Sequence, residues 1–160
     1  MTVAPTLDKG LRIDVDSATD WQVLDMICTD ATLQNGPSLA ESLGGFMEDD
    51  EDWSELMTPE LGEQFNEQVT HVSKAISSAK KENDLTGSVS ISHDEADIWF
   101  GAINQARISL ESRFQLSKLE EEFEDGIQAD DIKDPALLSA IIRYDFYSRI
   151  QNIMLDYILD

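Results

Sequence analysis

Cysteine, basic side chains and long apolar runs are scarce in this sequence of 160 residues. One cysteine, Cys28, excludes an internal disulfide. No apolar run near the N-terminus is long enough for a secretory signal, so a cytoplasmic location is expected. Apolar stretches such as 136–142 stop at charged residues, well short of the ~20 residues a membrane-spanning helix needs. Lys and Arg total 11 against 33 Asp and Glu, a formal net charge of −22. Tight phosphate binding draws on clustered Lys and Arg that release counterions, and anionic membranes repel an acidic surface in the same way. Nucleic acid and membrane are therefore excluded as partners, and a basic protein surface is the partner such a field attracts.

Catalytic signatures are scarce too. There is no Gly-x-Gly-x-x-Gly, no phosphate-binding loop, no Gly-x-Ser-x-Gly and no His-Glu-x-x-His, which argues against an enzyme, and no cofactor is called for. The two histidines, His71 and His93, have no nucleophile placed by sequence. Glu60, Glu63, Glu67 and His71 share a helix face, but Glu67 and His71 are four apart, and the Glu-x-x-His pairs of di-metal bundles are missing. An EF-hand register with Gly126 in sixth place puts Phe123 at the third ligand position. No metal site is expected, and the acids are read as a solvated face. Cys28 lies on an apolar helix face with no basic neighbour and is read as a buried structural thiol.

What is present is enough to fold. Hydrophobic residues make up 41% of the chain, including three Trp, three Tyr and six Phe, too much apolar material for an acidic disordered tail. The length predicts one domain over 1–160. Leu11, Ile13 and Val15 alternate with Arg12, Asp14 and Asp16, and Val89 and Ile91 alternate with serines, predicting two short strands that can pair. Ser17 ahead of Asp20 opens a first helix, with Trp21, Leu24, Cys28 and Ala31 at helical spacing, that runs until Gly36-Pro37 stops it. Thr58-Pro59-Glu60 starts a long helix through Ala79, with Lys74, Lys80 and Lys81 toward its end. Ser92 and Glu95 form a capping box for a helix carrying Trp99, Ile103, Ala106, Leu110 and Phe114. Asp134-Pro135 starts the last helix, with Leu138, Ile142, Phe146, Ile150, Ile153 and Tyr157 on its stripe. Glu48, Asp49, Asp50, Glu51 and Asp52 repel one another and read as a solvated acidic loop, and 118–134 as a partly ordered acidic connection. The expected fold is mainly α: a four-helix bundle-like domain with a short two-stranded β ribbon.

Trp99, Asn104 and Arg107 are the most informative cluster. Arg107 lies only about 40° round the helix from Ile103, which puts its guanidinium at the core boundary in search of a carboxylate. Glu111 or Asp145 can supply it, and Asn104 shares its side. The bland reading is a polar lock between two helices; the functional one is a small-ligand site.

The stretch from Gly87 to Phe114, with Gly-Ser-Val-Ser-Ile-Ser, Glu95-Ala96-x-x-Trp99 and Ile103-Asn104-Gln105-Ala106-Arg107-Ile108, resembles the strand and helix motif of an uncharacterised bacterial family that includes the actinobacterial oxidative-stress regulators (AosR-like). Tyr144 through Leu155, including Gln151, is similar to that family's closing helix, and residues 46–76 look like its acidic segment and long helix. Gln105 stands where the family has Asp, and with Cys28 alone an intramolecular disulfide switch does not carry over. The resemblance implies a cytosolic, non-enzymatic regulatory or adaptor-like protein of a family whose genes often lie beside that of the ClpS adaptor. Three readings follow. The first is an interaction module whose acidic loops meet a basic protein, and the second a small-ligand or metal-binding helical domain at Asn104, Arg107 and Asp145. The third is a homodimer through the apolar last helix.

Overall fold

The alternation around Ile13 does produce a strand, and its partner is the one the serine-rich stretch offered. In the computed structural model, which describes residues 1–32, 58–82, 85–122 and 131–159, β2 (Leu11–Val15) pairs antiparallel with β4 (Thr86–Ile91). Leu11 stands opposite Ile91 and Ile13 opposite Val89, all buried, while Arg12 and Ser90 face solvent. Such cross-strand apolar pairs on one face stabilise a sheet by a few tenths to 1 kcal/mol each, about the scale of the helix i,i+4 pairs.

The sheet is wider than expected. β1 (Thr2–Pro5) flanks β2 and β3 (Lys80–Glu82) flanks β4, giving four antiparallel strands in the order β1-β2-β4-β3. The expected two-stranded ribbon is its central pair. β3 also corrects the expected helix end: the helix stops at Ser77, and Lys80 and Lys81 belong to a strand held by Ser88 and Gly87. Gly10 is required where β2 begins, because a Cβ there would stand 2.5 Å from the Ile91 carbonyl oxygen.

The helices are α1 (Ala18–Thr32), α2 (Thr58–Ser77), α3 (Ala96–Phe114), α4 (Leu116–Glu122) and α5 (Pro135–Tyr157). Their starts are written in the sequence. Ser92 accepts from the Glu95 amide while the Glu95 carboxylate takes the Ser92 amide, a complete capping box ahead of α3. Asp134 accepts from the Ala136 amide at 3.0 Å with Pro135 at the first position of α5.

Architecture departs from a bundle. α3 is the central rod, packed on α1, α2 and α5, and its buried residues Ala96, Trp99, Ala102, Ile103, Ala106 and Leu110 point to more than one neighbour. Small alanines let the surrounding helices approach closely. α1, α3 and α5 carry most of the helical core, the inner face of β2 and β4 joins it, and α5 reaches across to β1. At about 1.5 Å per residue, α5 with its 23 residues is about 35 Å long. Of the acidic connection expected at 118–134, residues 118–122 are helical and 123–130 lie outside the described residues: Gln115 turns left-handed (φ 52°) and α4 begins at once, with Leu116 buried. Trp21 fixes the sheet to α1, donating its indole N–H to the Leu85 carbonyl at 3.0 Å beneath the Lys81 ammonium. No helix among the described residues is long and apolar enough to cross a membrane.

Candidate functional site

Two polar clusters occupy the α3 and α5 interface. The first holds the residues singled out by sequence. Arg107 donates from Nη1 to the Gln151 side-chain oxygen, Gln151 donates to Asn104 at 3.4 Å, and the guanidinium lies 5.3 Å from the centre of the Tyr144 ring. Asn104 and Arg107 are thus brought together, but by an amide and an aromatic face rather than a carboxylate. Asp145 is not part of this group. It sits on the outer side of α5, 64% exposed, and pairs with Arg149 one turn on at 2.9 Å. The reason is angular: Phe146 and Tyr147 take the buried positions, which leaves Asp145 turned to water. Glu111, the other expected partner, bonds the Ser117 amide at 3.0 Å, tying α3 to α4. Trp99 is a fully buried core residue whose indole N–H has no partner among the described residues. Glu48, Asp49, Asp50, Glu51 and Asp52 lie outside the described residues.

The second cluster is the more strongly built, and sequence reasoning missed it. Asp30, near the end of α1, has no exposed surface. Its carboxylate accepts from Arg143 Nε at 2.8 Å and Nη2 at 3.2 Å, from Arg113 Nη2 at 2.8 Å, and from the Tyr147 hydroxyl at 2.7 Å. Arg143 spends a further N–H on Ser139 at 2.6 Å. A buried carboxylate is tolerated only with such saturation of its lone pairs, and the bidentate guanidinium grip is the strongest available. Burial, reinforced by the Asp30 charge, raises the Tyr147 hydroxyl pKa far above its ordinary value, so Tyr147 serves here as a donor and not as an acid. Two guanidiniums meet one carboxylate, and Arg113 Nε is buried without a partner among the described residues. The signal was there in pattern if not in motif: Asp30 follows buried Ile27 by three, and Arg143 falls between buried Ala140 and Tyr147. An ionisable residue on an apolar stripe of two different helices marks a buried pair.

A model of the family described as a domain of unknown function, DUF2017, matches residues 6–158. The chain belongs to the DUF2017 family. No curated protein and no solved structure matches it. The match covers both polar clusters of this DUF2017 chain and the whole of the sheet beyond β1.

Elsewhere in the DUF2017 fold the sequence candidates are engaged locally. His71 Nε2 lies 3.0 Å from Glu95, joining α2 to the capping box of α3, and hydrogen bonds from Ser92, with the imidazole beside it, hold the Glu95 carboxyl below its ordinary range. His93 is exposed in the turn ahead of α3. Cys28 is half-buried rather than buried; its thiol faces the Val69 carbonyl at 3.7 Å, and burial together with Asp25 pushes its pKa up. A raised thiol pKa suppresses the reactive thiolate. Among the described residues no three His, Cys, Asp or Glu side chains are grouped to hold a metal ion.

Proposed function

We propose that this DUF2017 chain is a non-enzymatic, cytoplasmic interaction module, a regulatory or adaptor-like protein that acts by binding a basic surface on a protein partner. One observation carries this reading. Of its five arginines, Arg113 and Arg143 are spent on buried Asp30, Arg107 on Gln151, and Arg12 and Arg149 on neighbouring Asp14 and Asp145. The arginines are thus turned inward or paired locally, which leaves six lysines against the acidic majority behind the net charge of −22. Such a field speeds encounter with basic partners and penalises acidic ones. The resemblance to AosR-like regulators agrees with a role in stress response or Clp-linked proteolysis. A ligand site at Asn104 and Arg107 draws less support, because Gln151 already occupies both side chains.

The test is capture from a lysate of the source cells on the immobilised full chain, eluted with rising salt. A variant with Glu48, Asp49, Asp50, Glu51 and Asp52 changed to their amides is run beside it. One protein released over a narrow salt range, and at lower salt from the variant, is the expected result. Retention of nothing specific, or the same elution from both chains, overturns the reading.

A further inference from the structure

The excess guanidinium charge at Asp30 has an opening to solvent. A cleft of about 460 Å³ lies between α1 and α5, walled by Gln22, Val23, Asp25 and Met26 on one side and by Ser139 and Arg143 on the other. Arg143, its side chain 10% exposed, lines this cleft, and its guanidinium is held by hydrogen bonds to Asp30 and Ser139. Among the described residues Asp30 is the one carboxylate that pairs with Arg143 or Arg113, which leaves one positive charge of the cluster unbalanced. On the opposite wall Asp25 is exposed and makes no ion pair among the described residues. Val23 and Met26, both half-buried, line the same cleft.

A fixed cation, a free carboxylate and an aliphatic floor define a ligand. A simple anion is disfavoured, because Asp25 and the net charge of −22 repel it. A simple cation is disfavoured by Arg143. A molecule carrying both charges is neutral overall, escapes the long-range repulsion, and meets an opposite charge at each end. We propose that this cleft binds a free aliphatic amino acid, its carboxylate on Arg143 and Ser139 and its ammonium on Asp25, with Val23 and Met26 against the side chain. The volume accommodates such a molecule, and a rigid guanidinium loses little entropy on binding. The site uses none of the residues of the acidic run 48–52 and, resting on the reading proposed above, gives the interaction module a small-molecule input.

The test uses the full chain labelled with ¹⁵N and titrated with L-leucine, N-acetyl-L-leucine and L-leucinamide. Leucine is expected to give saturable shifts of the Gln22–Met26 and Ser139–Arg143 amides. The acetylated compound lacks the ammonium and the amide lacks the carboxylate, so each is expected to bind about fivefold more weakly, the scale of one partly exposed ion pair. Asp25→Asn, an exposed substitution that leaves the core untouched, is expected to weaken leucine binding by about the same factor and to abolish the preference for leucine over its N-acetyl form. Absence of saturable shifts at these amides overturns the proposal, as does equal binding of all three compounds or unchanged leucine affinity in Asp25→Asn.

Discussion

Asp30 decides more than any other single residue here. Among the described residues its carboxylate is the sole anion paired with two guanidiniums and a phenol, and it is fully removed from water. Asp30→Asn keeps the shape but leaves Arg113 and Arg143 facing each other with no counter-charge, and loss of one partner of a buried pair costs about 3–5 kcal/mol. Urea unfolding is expected to show a loss of that size, against less than half of it for Arg149→Ala, whose pair with Asp145 is exposed. Tyr147 adds an alkaline signature. Its folded-state pKa lies above its unfolded value of about 10, so the folded state keeps the proton that the unfolded chain gives up. The stability from this group is therefore fully present below about pH 10 and declines as pH rises beyond it, by up to about 1.4 kcal/mol per pH unit. In a denaturation series from neutral to alkaline pH, Tyr147→Phe is expected to flatten that decline; an unchanged slope would remove Tyr147 from the cause.

Elements were legible where local chemistry and tertiary context agreed. Ser92 with Glu95 announced the start of α3, and Asp134-Pro135 that of α5, because a cap is a short-range bond between residues a few positions apart. Ser92→Ala removes the hydroxyl that accepts from the Glu95 amide and is expected to cost about 1 kcal/mol, read as a lower melting temperature. β2 and β4 were legible because one face of each is buried, which writes period two into the sequence. β1 and β3 were not. Thr-Val-Ala-Pro carries a proline and little alternation, and Lys-Lys-Glu carries no apolar residue at all; both are edge strands, ordered by a neighbour rather than by their own pattern. The bundle was over-read for a related reason. α3 is buried on more than one side, so its apolar residues say that it is central but not which helices surround it. The candidate site divides the same way. Helical spacing placed Asn104 and Arg107 on one side, yet their partner Gln151 is 44 residues from Arg107. Asp30 lies 83 residues from Arg113 and 113 from Arg143, separations over which spacing carries no information.

At the scale of the whole molecule the net charge of −22 opposes folding and, on the proposed reading, favours association with a basic partner. Bringing that many carboxylates onto one compact surface raises their mutual repulsion relative to the extended chain, and salt relieves it by shortening the screening length from ~30 Å at 0.01 M to ~8 Å at 0.15 M. The fold is therefore expected to melt at higher temperature as salt is added across that range. The buried Asp30 cluster contributes little to this change, since pairs removed from water are screened far less. Binding of a basic partner runs the other way, because the same counterions compete for the acidic surface, and its affinity is expected to fall over the same titration. Melting and affinity measured side by side separate the two effects. A protein that merely loses its fold at low salt would regain affinity as it regains stability, whereas an acidic docking surface on an intact fold loses affinity while it gains stability.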